Sequence, residues 1–291
     1  MKALLLAGGN GSRLFPLTLV VSKQLLPVYD KPMIYYPLSV LILAGIREIM
    51  IISTPQDIKR YEYLFGDGSL YGISLFYKVQ EEPKGIAEAF LLGEDFIGQA
   101  PVCLILGDNI FYGLDFSKRL EKVVERTKLG KLGTIFGYEV NNPEYYGVIE
   151  FDESGNALSI KEKPQKPNSK YAVVGLYFYP NEVVDFAKKV KPSKRGELEI
   201  TTINNHYLKS GKLIVESLEQ GFTWLDTGTP ESLLQAGQFI ETIEKRQGIK
   251  VGCLEEVSYQ KGYITKGQII KSASRLKGTS YGEYLFKKYD S

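Results

Sequence analysis

A chain of 291 residues, 44% of them hydrophobic, can bury a substantial core, and its length predicts one or two domains. Its 36 basic and 34 acidic residues are spread along the chain for a net charge of +2, so no basic footprint for nucleic acid is expected. No stretch approaches the roughly 18 uninterrupted apolar residues of a membrane span, and the start lacks the pattern of a secretion signal, so no membrane partner and a cytoplasmic location are expected.

The first predicted element is the apolar strand Lys2 to Leu6, which breaks into Ala7-Gly8-Gly9-Asn10-Gly11-Ser12-Arg13, with Ser22-Lys23-Gln24-Leu25-Leu26-Pro27 downstream. Glycines let backbone N–H groups approach an anion, and Arg13 and Lys23 can neutralise its charge, so this is a phosphate cradle at a sheet edge. It is not a P-loop, because Gly11 is followed by Ser12-Arg13 and the first Lys comes only at Lys23. The dinucleotide fingerprint also fails, since its last small position falls on Leu14.

Further strands are predicted at Glu48 to Ser53, Ile73 to Val79 and Val102 to Leu106, alternating with helices at Met33 to Ala44, Pro55 to Phe65, Ile86 to Phe96 and Phe116 to Thr127. The alternation implies an α/β fold with a doubly wound parallel sheet and ligands at the carboxyl ends of its strands. From Gly133 the pattern becomes antiparallel: strands Thr134 to Val140, Gly147 to Phe151, Ala157 to Glu162 and Tyr171 to Tyr179, with a hairpin turn at Asp152-Glu153-Ser154-Gly155. Helices at Asn181 to Lys189 and Ile200 to Ser210, a strand at Leu213 to Ser217, a loop from Gly221 to Gly228 and a long helix Pro230 to Arg246 follow. The tyrosine-rich tail from Lys250 reads as a small helical appendage, without the hexapeptide repeats of a β-helix.

The polar residues divide by chemistry. Cys103 lies in an apolar run far from Cys253, and His206 is the single histidine, so neither a disulfide, a thiolate metal site nor a histidine relay is expected. Asp108 ends a strand at the edge expected to carry the glycine loop, where it is either a metal ligand or part of a Gly-Asp-Asn turn. Asp226, in Trp224-Leu225-Asp226-Thr227-Gly228, offers a second carboxylate or precedes a helix. Glu162-Lys163 could meet sugar hydroxyls and a phosphate or form a solvated pair, and Arg195 could reach a phosphate or face water. Gly147 could admit a ligand to the backbone, and the Gln24 and Gln80 amides suit a nucleobase edge.

Taken together, the motifs from Leu6 to Leu14, Ser22 to Pro27, Leu106 to Asn109, Tyr146 to Val148, Glu162 to Pro164 and Trp224 to Gly228 resemble the sugar-nucleotide pyrophosphorylases, most closely their glucose-1-phosphate thymidylyltransferase branch. The resemblance implies a Rossmann-like mixed sheet of nucleotidyltransferase type with an antiparallel sugar-binding portion. Its domain would span residues 1–246, with a nucleotide half to about residue 132, a sugar half from 133 to 228, and an appendage at 247–291. It implies magnesium, the substrates dTTP and glucose 1-phosphate, the products dTDP-glucose and pyrophosphate, and a homotetramer. Arg13, Lys23, Asp108 and Asp226 would then be catalytic, the two aspartates holding the metal. Gly8, Gly9, Gly11, Ser12, Arg13, Lys23 and Asp108 would bind the nucleotide phosphates and metal, and Gln24, Gln80 and Gly85 the thymine. Asn109, Tyr146, Gly147, Glu162, Lys163, Val173, Arg195 and Trp224 would line the sugar-phosphate pocket. A UTP-using enzyme and a catalytically silent nucleotide-sugar binding protein are the competing readings; an NAD-dependent oxidoreductase is disfavoured by Leu14.

Overall fold

A computed structural model describes residues 1–290. Strand β1 (Lys2–Leu6) is followed by a ribbon of β2 (Pro27–Val28) and β3 (Lys31–Pro32), then α1 (Tyr35–Leu43), β4 (Glu48–Ser53), α2 (Ile58–Phe65) and β5 (Ser74–Val79). Next come α3 (Glu88–Leu92), α4 (Glu94–Ile97), β6 (Val102–Leu106), β7 (Asn109–Tyr112) and α5 (Phe116–Leu129). The second half contains β8 (Gly133–Glu139), β9 (Gly147–Phe151), β10 (Ala157–Glu162), β11 (Tyr171–Tyr179), α6 (Val183–Ala187), α7 (Ile200–Lys209), β12 (Leu213–Leu218) and β13 (Thr223–Asp226). The chain closes with α8 (Pro230–Gln247), α9 (Leu254–Gln260), α10 (Lys266–Arg275) and α11 (Ser280–Tyr289).

One mixed sheet organises these elements in the order β10-β9-β11-β6-β1-β4-β5, with β8 also on β11 and β12 on β8. Strands β6, β1, β4 and β5 are parallel, Leu4 standing opposite both Met50 and Leu104. Their apolar runs reflect burial on both faces: Ala3, Leu5, Cys103 and Ile105 pack on one side, Leu4, Val102 and Leu104 on the other. Strand β11 turns the sheet antiparallel, pairing with β6, β8 and β9. Helix α9 adds Leu254 and Val257 to the core that holds Leu38 and Leu41 of α1.

Two expectations change, and one pairing is added. The segment from Ile86 to Phe96 is two helices broken at Gly93, where a Cβ would lie 2.7 Å from a Leu4 methyl, so close packing on β1 requires glycine there. Strands β8 to β11 are antiparallel as expected, and β12, for which the sequence predicts no pairing, runs parallel to β8. The other change matters most for the site. The expected loop from Gly221 to Gly228 contains strand β13, which pairs antiparallel with β7, Asp226 opposite Asn109.

Candidate active site

The glycine loop and Asp108 leave the sheet side by side because β1 and β6 are parallel neighbours in register, with Leu6 opposite Leu106 and the Gly107 N–H donating to Leu6 O at 2.9 Å. Gly9 at φ 93° and Gly11 at φ 55° take the left-handed backbone that favours glycine. The Thr18 hydroxyl donates to Gly11 O at 2.7 Å and braces the loop. Arg13 follows on a one-turn helix, its guanidinium over Gly228, where a Cβ would stand 3.1 Å from the nearest nitrogen. Lys23 and Gln24 lie in a second one-turn helix, and both are buried.

The β7–β13 ribbon brings Asp226 beside Asp108 across more than a hundred residues of chain. Between them sits Lys23, its Nζ 2.6 Å from Asp108 Oδ2 and 3.9 Å from Asp226 Oδ1. Asp108 also accepts a hydrogen bond from Asn109 Nδ2 at 2.9 Å. Burial works to raise the Asp108 carboxyl, but Lys23 and Asn109 outweigh it and hold the group below the usual carboxylate range. Asp226 goes the other way: burial first, then the Asp108 charge, pushes it up to about 6 against the pull of Lys23, Arg13 and Lys163. Two carboxylates whose repulsion a single ammonium partly relieves form a donor set suited to a divalent cation that takes its remaining ligands from phosphate and water. Among the described residues there is no cluster of three or more His, Cys, Asp or Glu side chains that could hold a metal by itself.

Asp108 and Asp226 stand at one side of a cavity lined also by Arg13, Asn109, Tyr146, Gly147, Glu162, Lys163, Val173 and Trp224, together with residues of β11 and α7. On the far wall, Glu162 accepts from the Thr201 hydroxyl and from Arg195 Nη1 at 3.3 Å. Gly147 pairs with Glu162 across β9 and β10, and a Cβ there would meet Thr201 Oγ1 at 3.3 Å. Lys163 takes φ 41°, a left-handed conformation rare for a residue with a side chain, and its N–H donates to Tyr146 O at 3.0 Å. Such strain persists only when its surroundings impose it, and it accumulates at working sites. Tyr146 packs edge-on against Trp224 at 5.2 Å, and burial followed by the Asp226 charge pushes its hydroxyl up to about 12.

The remaining expected site residues stand around this cavity. Gly8, Gly9, Gly11, Ser12, Lys23, Gln24, Gln80 and Gly85 are not among its lining residues, and the groove beyond the loop is lined in part by Gly9 and Lys23. Gly85 has a packing reason for its identity, since at φ 115° its Cβ would come within 2.6 Å of the Leu198 backbone. Arg195 is held by Glu162, Glu197 at 2.7 Å and Glu199 at 3.5 Å. Asn109 is chiefly a junction: its Oδ1 accepts from Trp224 Nε1 at 2.7 Å and from the Gly175 N–H at 2.9 Å. The sequence reading missed Thr201, Glu199, Tyr177 and Asn204, all of which line the cavity. Helix periodicity from Ile200 could have placed Thr201 and Asn204 on one face.

A family model described as Nucleotidyl transferase matches residues 2–243. The chain is 55% identical over 285 residues to a glucose-1-phosphate thymidylyltransferase of Neisseria gonorrhoeae, covering 98% of each chain. It is 52% identical over 290 residues to that of Mycolicibacterium smegmatis, covering 100% of this chain and 99% of the relative. Among solved structures, a Bacillus anthracis protein described as a glucose-1-phosphate thymidylyltransferase, in complex with a sucrose, superimposes with a TM-score of 0.75 at 40% identity over 82% of this chain and 94% of its own. A UDP-glucose pyrophosphorylase complexed with UDP-glucose gives a TM-score of 0.72 at 25% identity, over 83% of this chain and 98% of its own.

Proposed function

This chain belongs to the nucleotidyl transferase family, and from that premise we propose that it is a glucose-1-phosphate thymidylyltransferase, converting dTTP and glucose 1-phosphate into dTDP-glucose and pyrophosphate. The observation that carries the reading is the paired aspartates around Lys23 beside a cavity that Glu162 and Lys163 also line. Residues 1–246 form the nucleotidyltransferase domain in this reading and 247–291 an appendage to it. No helix among the described residues is long and apolar enough to cross a membrane. The enzyme would act in the cytoplasm as a homotetramer, an assembly able to cover exposed apolar side chains such as Leu17, Leu19, Val20 and Leu234.

The difficulty of the reaction is electrostatic. A phosphate oxygen of glucose 1-phosphate attacks the α-phosphorus of dTTP, the bond to the β-phosphate oxygen breaks, and pyrophosphate leaves. Arg13 and Lys23 offset charge on the triphosphate, while Lys163 and Arg195 offset charge on the sugar phosphate. The attacking oxygen is already ionised at neutral pH, so no side chain needs to remove a proton, and the carboxylates are free to act as ligands. Asp108 and Asp226 would hold magnesium, which when bound supplies charge neutralisation and alignment of the triphosphate. Glu162 and the backbone at Gly147 orient the sugar, so that alignment supplies much of the acceleration.

Pyrophosphate release measured with dTTP, UTP, ATP, CTP and GTP, each with and without glucose 1-phosphate and magnesium, tests the reading. Release that requires the sugar phosphate and the metal and is fastest with dTTP is the expected result. Release fastest with UTP would move the chain to the uridylyltransferases, and no release would make it a silent binding protein.

A further inference from the structure

Two buried glutamine amides meet the glycine loop at a single residue. Gln24 Nε2 lies 3.4 Å from Gly8 O, and Gln80 Oε1 occupies the space that a Cβ on Gly8 would take. A primary amide can turn either its donor or its acceptor toward a ligand. Here the neighbours remove that choice.

Gln80 Nε2 donates to Glu88 Oε2 at 2.7 Å, and the same oxygen accepts the Lys84 backbone N–H at 3.1 Å, which fixes the carboxylate at the start of α3. An ionised carboxylate can only accept, so the amide must give Glu88 its NH₂ and keep its carbonyl toward Gly8. Gln24 is set in the opposite sense. The Ser22 hydroxyl donates to Gln24 Oε1 at 2.7 Å and is itself 2.8 Å from the buried Tyr61 hydroxyl, while Gly8 O, which can only accept, draws the NH₂ of Gln24 toward the loop.

We propose that Glu88 and Ser22 are positioning residues that lock these amides in opposite polarity, Gln80 accepting and Gln24 donating, and thereby select a base edge bearing an N–H beside a carbonyl over cytosine. The proposal rests on the thymidylyltransferase reading and deepens it. Thymine and uracil present N3–H and a carbonyl to such a pair, whereas cytosine presents a bare N3 and an amine. Against a fixed pair, cytosine leaves both amides facing like groups, and buried polar groups left unpaired are what make such discrimination large.

The test uses the full chain and initial rates of pyrophosphate release with dTTP and with dCTP, at saturating glucose 1-phosphate and magnesium, for wild type, Glu88→Gln and Ser22→Ala. Glu88→Gln keeps the shape of the side chain but can accept or donate, so Gln80 regains both orientations. The dTTP to dCTP ratio of kcat/KM is expected to fall by about 10-fold or more, as for loss of a polar contact that discriminates. An equal loss with both nucleotides, leaving the ratio where it was, overturns the proposal and makes Glu88 a support of the fold. If Glu88→Gln lacks a cooperative thermal transition, the same ratio measured in Ser22→Ala decides the matter. Wild type that releases no pyrophosphate overturns the functional reading instead. Calorimetric binding of dTTP against dCTP to wild type and Glu88→Gln then decides the positioning role separately, an unchanged affinity ratio overturning it.

Discussion

Asp108 and Asp226 share one ammonium: Lys23 Nζ lies 2.6 Å from Oδ2 of the first and 3.9 Å from Oδ1 of the second. Neither aspartate reaches the other through its own local sequence. The four-residue pairing of β7 with β13 brings them together, and the parallel register of β1 with β6 brings the glycine loop to the same place.

Replacing Lys23 with Ala removes the cation shared by both carboxylates. A fall in kcat/KM of roughly 10²-fold or more is expected, as when a preorganised charge at a reacting group is lost. The variant should also melt at a lower temperature than wild type in a chelator, because two buried carboxylates then face each other, and added divalent cation should recover much of the difference. Near wild-type turnover would remove Lys23 from the chemistry.

Asp226→Asn separates stability from activity. Burial and the Asp108 charge push the Asp226 carboxyl up to about 6 in the fold, against 3.8 for the free group, so stability is lost as the pH rises from about 4 and the loss is complete above about 6. In a chelator at pH 7.5 the Asn variant should therefore melt higher than wild type, and the gap should narrow as the pH falls through 6 and close below about 4, where the wild-type carboxyl becomes protonated whether folded or unfolded. Its activity and metal response should drop together. A variant less stable than wild type at pH 7.5 would show that the Asp226 charge supports the fold.

The same titration bears on metal affinity. Protons compete with the cation for Asp226, so the apparent divalent affinity of wild type should weaken below pH 6 by at most about 10-fold per pH unit for one displaced proton. Isothermal titration between pH 5 and 8 measures it, and a flat profile across that range would mean the cation binds elsewhere.

Gly228→Ala tests the placement of Arg13. The new Cβ would stand 3.1 to 3.2 Å from the guanidinium, the movable end of an exposed side chain, so the fold should hold while Arg13 shifts. A loss in kcat/KM of roughly 10- to 100-fold is expected for a charged group displaced by a fraction of an ångström to one ångström, with the melting temperature little changed. Unaltered kinetics would leave Arg13 without a role in the reaction.

Strands such as Lys2–Leu6 and Val102–Leu106 were legible because burial on both faces forces unbroken apolar runs, and α5 and α8 because helical periodicity extends over many residues. The β7–β13 ribbon was not. Each strand has four residues, about 115 positions separate them, and pairing at that distance leaves no turn residues as a signal. At the site, single-residue chemistry marked Asp108, Asp226, Lys23 and Glu162, but not the supports around them. Asn109 reads as a possible ligand contact, whereas its burial and three hydrogen bonds make it the knot between Asp108, Trp224 and Gly175. Glu88 carried no signal, because a Glu in the first turn of a helix is ordinary on dipole grounds.

Strand β11 carries Val173, Gly175 and Tyr177 along the cavity and pairs with β6 toward one end and with β9 toward the other. The floor beneath both sides of the cavity is thus one continuous stretch of nine residues, about 30 Å of backbone at ordinary strand rise. Its ladder is interrupted between Val173 and Tyr177, where the register with β8 shifts, so its two ends are paired separately, with β6 and with β9. The spacing between the aspartates and Glu162 is therefore set along one strand, with Gly175 and its hydrogen bond to Asn109 standing at the interruption.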